Sequence, residues 1–307
     1  MKIVIAGIGG VGGYYGGLLA KKYEGSSDVE IYFLARGANL QKMQQDGLKV
    51  IAKKGTFIAH PKLATDDVNE IGKADYIILC TKSYDLEATV LQIKPMVNQN
   101  TVILPLLNGA DISQRISKLL PSTEVWNGCS YIVARLNEPG VVESSGDLHA
   151  LHFGYNNQTS ERLLKFEELL KSAGIDVTFS ENIMLLIWTK FMFISTTASL
   201  TSYFNVNFGA LVTDDIRKQT LINMSNELIM VARAEGIELS TDLINKGVHR
   251  LEKMPTHATT SMHSDFLNGK NVELETLTGI VIQMARKHNI SVPVYEKVYA
   301  ELKNRQN

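Results

Sequence analysis

Gly7-Ile8-Gly9-Gly10-Val11-Gly12 follows an apolar run, Ile3–Ala6, and opens a helical pattern over Val11–Lys22. A glycine loop between a strand and a helix suits a dinucleotide. The first glycine makes a tight turn, the second lets backbone approach a pyrophosphate, and the third lets helix and strand pack closely. The next strand, Val29–Leu34, ends in Ala35-Arg36-Gly37 with no acid at its tip. A carboxylate there would hold the ribose 2′-hydroxyl of NAD, whereas the Arg36 guanidinium fork fits a 2′-phosphate. NADPH is therefore the expected cofactor. Lys82, after the run Tyr76–Thr81, and Asn108-Gly109, after Thr101–Leu107, also stand at strand ends. From position alone, Lys82 reads equally as a cofactor ligand or a surface lysine, while Asn108-Gly109 could meet cofactor or substrate, although such a pair by itself is more often just a turn.

A second chemical signal lies further along. From Ile183 through Thr213 the only formal charge is Lys190, set among Leu185, Leu186, Ile187, Trp188, Phe191, Met192, Phe193 and Ile194. Desolvating an ammonium costs several kcal/mol or lowers its pKa, so the residue reads as a general acid, with a snorkelling lysine as the alternative. Glu273 and Glu275 stand at the start of another apolar helix, where either could partner the lysine or favour the helix terminus. His149 and His152 have a strand spacing that points them to opposite faces, which argues against a metal pair. Tyr14 and Tyr15 read as helix packing, and Met224, Met230 and Met284 as core filler.

These residues need a frame. The apolar runs of the first half alternate with helical segments such as Leu86–Ile93 and Ile112–Leu120, which implies a doubly wound parallel sheet. Val125–Ala134, Val141–Ser144 and Leu148–Gly154 read as further strands, followed by a helix over Glu161–Ser172 that stops at Gly174. Beyond it, Ile183–Leu200, Asp214–Glu235, Thr241–Leu251, Val272–His288 and Val294–Asn304 read as helices. The expected fold is α/β: an N-terminal Rossmann-type domain over 1–179 and an all-helical domain over 180–307. With 31 basic and 32 acidic side chains among 307 residues, phosphate neutralisation along a nucleic acid is a poor fit. Two cysteines, Cys80 and Cys129, build neither a disulfide framework nor a four-thiolate zinc site. The apolar stretch Ile183–Ile194 falls short of a membrane span and no leader stands out, so a cytoplasmic protein is expected.

In order, the glycine loop, Leu34-Ala35-Arg36-Gly37, Thr81-Lys82-Ser83, Leu107-Asn108-Gly109, Trp188-Thr189-Lys190 and Ser261-Met262-His263-Ser264-Asp265 with Glu273 resemble the ketopantoate reductase family over essentially the whole chain. The resemblance implies NADPH-dependent reduction of ketopantoate to pantoate, with an active site between a Rossmann and a helical domain. It would give Arg36 and Lys82 the 2′-phosphate, and Asn108 the nicotinamide side and the substrate. Lys190 would protonate the ketone oxygen, Glu273 would orient that lysine or the substrate hydroxyl, and Ser261 would bind the substrate carboxylate. The implied partner is a small 2-oxo acid, with no nucleic acid and no membrane; a homodimer is left open. One departure stands out: Ile194 and Ala198 occupy positions, four and eight residues after Lys190, where many members carry asparagine. A reductase of another carbonyl substrate is therefore an alternative. A sensor that holds NADPH without turnover is a third reading, against which a desolvated proton donor weighs.

Overall fold

A computed structural model describes residues 1–306, apart from the side chains of residues 147 and 148. The chain divides into two compact units, one of Met1–Leu107 with Asp111–Ile183, the other of Asn108–Ala110 with the residues from Met184 onward.

In the first unit the apolar runs pair as a six-stranded sheet. Its order is Leu63–Thr65, Glu30–Leu34, Lys2–Ala6, Tyr76–Leu79, Val102–Pro105 and Glu124–Val125, all parallel. This is the doubly wound order in which the chain reverses direction beside the first strand, so the glycine loop after Ala6 and the turn after Leu79 emerge side by side at the switch point. Ile3, Val4 and Ile5 have no exposed surface, as parallel strands covered on both faces should.

The further strands belong to a second sheet. Val177–Phe179, Val141–Gly154, Leu48–Ala52 and Gly55–Ala59 lie in that order, with Asn127–Glu138 antiparallel to Val141–Gly154. The sequence reading separated Val141–Ser144 from Leu148–Gly154; they are one strand with a register shift between Ser145 and His149. Gly146 marks that irregularity and not a strand end. The hairpin Leu48–Ala59 and the helix Gly37–Asp46 were not anticipated.

Helix Gly10–Lys22 packs against both sheets, and its glycines make this possible. A Cβ on Gly12 would lie 2.0 Å from the Gly7 carbonyl oxygen, and one on Gly16 would lie 3.1 Å from Ile5. On the other side, a Cβ on Gly13 would lie 2.4 Å from Val142 and one on Gly17 2.6 Å from Val50. Tyr14 and Tyr15 are buried from the same helix, in keeping with a packing role.

The second unit is helical. Ile183–Phe204 is its central element and buries Trp188, Phe191, Met192 and Leu200. It runs ten residues past Ile194, which makes it long and apolar enough to cross a membrane; 61% of its most apolar window is nevertheless buried inside the protein, as in a core helix. Asp214 caps Asp215–Ala234 by accepting from the Arg217 amide, and Gly236 takes a positive φ of 83° beyond its end. Two expectations need correction. The helix expected from Val272 begins at Leu274 with a π-helical turn, Glu275–Gly279, before Ile280–Lys287. Met224 and Met284 are buried, but Met230 is 45% exposed. Six positions place Met230 about 120° around the helix from Met224, off the core face.

Candidate functional site

The residues expected to bind a nucleotide gather at the carboxyl end of the parallel sheet. Gly7 has φ +95°, and a Cβ there would meet Thr81 at 2.9 Å, so the first glycine serves both the turn and the close approach of the neighbouring strand end. Gly12 is needed against the Gly7 carbonyl, as described. Gly9 differs: a Cβ on it would meet nothing within 4 Å, so no packing inside the protein requires glycine there. Gly9 is also the N-cap of helix Gly10–Lys22, with no side-chain cap and no acid in the first turn. An open approach to uncapped helix amides is what a pyrophosphate needs. Thr81 Oγ1, beside this loop, is buried without a hydrogen-bond partner. Residues 7–12 thus fit a dinucleotide on their own geometry.

Arg36 is the N-cap of helix Gly37–Asp46, which likewise has no side-chain cap and no acid in its first turn. Its side chain is 83% exposed, and Nη2 lies 2.9 Å from Asp85 Oδ2. An exposed pair of this kind is weak and screened, so the guanidinium can exchange Asp85 for a phosphate. Lys82 is half-buried and caps the short turn Ser83–Asp85, where the Asp85 amide donates to its carbonyl.

In the second unit, the Lys190 Nζ donates to Asn108 Oδ1 at 2.8 Å. Two residues 82 apart in sequence thereby meet, and the sole charge of the 183–213 stretch is held by a neutral amide oxygen. Glu273 is buried just ahead of the π-helical turn, and its carbonyl accepts the Leu277 amide. Ser261 is exposed at the first position of helix Ser261–Leu267. The Thr260 hydroxyl caps this helix by accepting the His263 amide. His263 is buried: Nε2 lies 2.9 Å from Asn205 Oδ1 and Nδ1 lies 2.7 Å from Thr259 Oγ1. Burial pushes its imidazole below the ordinary value.

The hydroxyls beside the missing asparagines are committed elsewhere. Ser195 Oγ donates to the Leu277 carbonyl and pairs with Tyr295, whereas Thr196 and Thr197 bond back to the carbonyls of Met192 and Phe193. Ala198 is buried and Ile194 half-buried, so the turns of helix that follow Lys190 present apolar groups at these positions. His149 stacks on Tyr14 at 4.9 Å and pairs with Ser144, while His152 sits edge-on to Tyr131. Among the described residues no group of three or more His, Cys, Asp or Glu side chains could hold a metal ion.

Comparison with known proteins gives the family. Residues 3–158 match the family described as ketopantoate reductase PanE/ApbA, and residues 182–306 match its C-terminal counterpart. The chain is 30% identical over 303 residues, 98% of each chain, to a Bacillus subtilis protein described as the uncharacterized oxidoreductase YkpB. It is 26% identical to a 2-dehydropantoate 2-reductase of Halobacterium salinarum, over 96% of this chain and 95% of that one. A crystal structure of a 2-dehydropantoate 2-reductase from Porphyromonas gingivalis W83 is 36% identical, with a TM-score of 0.86 over 99% of both chains. From residues 3–158 and 182–306 together, the chain is an NAD(P)-dependent oxidoreductase and belongs to the ketopantoate reductase family.

Proposed function

We propose that this protein reduces a 2-oxo acid to a 2-hydroxy acid with NADPH, ketopantoate to pantoate being the first candidate. The observation that carries this reading is the Lys190–Asn108 hydrogen bond in an otherwise uncharged helix. Asn108 accepts from Lys190 through a neutral amide oxygen, which gives the Nζ a fixed direction. Bound NADPH supplies a hydride. As negative charge grows on the carbonyl oxygen, Lys190 stabilises it and hands over the proton. Arg36, Lys82 and the amides of residues 7–12 bind the dinucleotide. Ser261 holds the substrate carboxylate and Glu273 orients the substrate or the lysine.

The departures at Ile194 and Ala198 favour a second reading for the substrate. With Ser195, Thr196 and Thr197 already bonded, neither position regains a polar group from its neighbours. A 2-oxo acid with an apolar tail, lacking the hydroxyl of ketopantoate, then suits these positions better. Loss of NADPH absorbance with ketopantoate and with a panel of aliphatic and aromatic 2-oxo acids separates the two. Turnover of ketopantoate at least as fast as of any other acid supports the first. Oxidation only with apolar acids selects the second, and no oxidation with any of them overturns the reductase reading.

A further inference from the structure

We infer that Asn39 is a positioning residue that fixes the spacing between the two anion-binding ends of the dinucleotide site. The inference rests on the NADPH reading above and adds a residue to it. Asn39 lies in the first turn of helix Gly37–Asp46, three residues past Arg36. A polar side chain there commonly folds back to cap its own helix. Asn39 reaches outward instead. Its Nδ2 donates to the Ile8 carbonyl at 2.8 Å, and its Oδ1 accepts the Gly140 amide at 2.8 Å. One partner only accepts and the other only donates, so the side-chain amide has a single workable orientation.

The consequence for the loop follows from peptide geometry. The Ile8 carbonyl and the Gly9 N–H share one rigid plane, so pinning the oxygen aims the hydrogen. Gly9 is the open glycine whose missing side chain leaves room for a ligand. The far anchor is firm as well: the Gly140 carbonyl accepts the Lys49 amide at 2.9 Å, which ties the turn to the second sheet. A single amide therefore joins the glycine loop, the helix whose N-cap is Arg36, and the hairpin turn at Gly140. The loop would meet the pyrophosphate and Arg36 the 2′-phosphate, so their separation matters only to a dinucleotide that carries both.

Calorimetric titration of the full-length protein with NADP⁺ and with NAD⁺ tests this without a known substrate. Asn39→Ala should weaken NADP⁺ by about tenfold and NAD⁺ by less than about threefold at pH 8. Asn39→Asp keeps the size and the Gly140 contact but sets a carboxylate oxygen against the Ile8 carbonyl, so it should lose at least as much. Unchanged NADP⁺ affinity in both variants, or equal losses for the two dinucleotides, would overturn the proposal. Should Asn39→Ala not fold, the isosteric Asp variant carries the test alone. Wild-type protein that binds neither dinucleotide overturns the NADPH reading itself, a result distinct from all of these.

Discussion

Lys190 illustrates how much a single charge can say. A half-buried ammonium set in a helix of Leu186, Trp188, Phe191 and Phe193 gives up hydration, and the Asn108 amide oxygen at 2.8 Å returns part of it. Lys190→Ala should lower turnover by about 10²–10⁴-fold, the span typical of a lost general acid, and leave dinucleotide affinity nearly unchanged. Stopped-flow hydride transfer and calorimetry check the two halves of that statement, and a comparable loss in both would reject the proton-donor role. Arg36→Ala should raise the KM for NADPH and spare that for NADH; initial rates with each show whether the guanidinium reads the 2′-phosphate. His263 makes a prediction about pH. Its folded-state pKa lies below the ordinary value of 6.5, so the neutral ring is the form the fold favours. Its contribution to stability is complete above about pH 6.5 and declines as acid protonates the buried ring. Thermal melts at pH 7.5 and 5.5 should show a smaller acid loss in His263→Gln than in wild type.

At the scale of the element, helix Gly10–Lys22 and its N-cap separate glycines that packing requires from Gly9, which packing does not require. A methyl on Gly12 would strike the Gly7 backbone oxygen at 2.0 Å, which cannot step aside. The helix-propensity gain of about 1 kcal/mol from alanine is outweighed by overpacking of about 1–3 kcal/mol. Gly12→Ala should therefore melt at a lower temperature than wild type. Gly9→Ala meets nothing within 4 Å and should keep the wild-type melt while losing dinucleotide affinity. Differential scanning fluorimetry with and without NADPH distinguishes them. The sequence showed the Gly7–Gly12 pattern, but not that Gly13 and Gly17 face Val142 and Val50, because the sheet carrying those valines was only partly visible in it. Its hairpin Leu48–Ala59 interleaves exposed Lys49, Lys53, Lys54 and Thr56 with apolar residues, which breaks the continuous run that betrays a buried strand. The π-helical turn was invisible for another reason. Its Leu277 carbonyl and Thr278 hydroxyl are met by Ser195 and Ser199, about 80 positions away, and no local pattern announces partners so distant.

Over the whole molecule, the legible features were those with strong local periodicity. The parallel strands stood out as unbroken apolar runs, and the central helix Ile183–Phe204 as a long apolar stretch with one charge. Asn39 did not stand out, since its partners lie 31 and 101 residues off and a polar residue in a polar helix carries no signal. If NADPH binds the folded chain alone, a concentration near 100 times its Kd should add about 2.7 kcal/mol to stability. Calorimetric melts across an NADPH series should rise logarithmically with concentration.

The tripeptide Asn108–Ala110 belongs by its contacts to the unit that otherwise begins at Met184, although Leu107 and Asp111 on either side of it belong to the other. A chimera that joins two relatives at one crossover near residue 184 would take Lys190 from one parent and its acceptor amide from the other. Swapping halves cleanly therefore requires three junctions, with a three-residue graft travelling beside the helical portion.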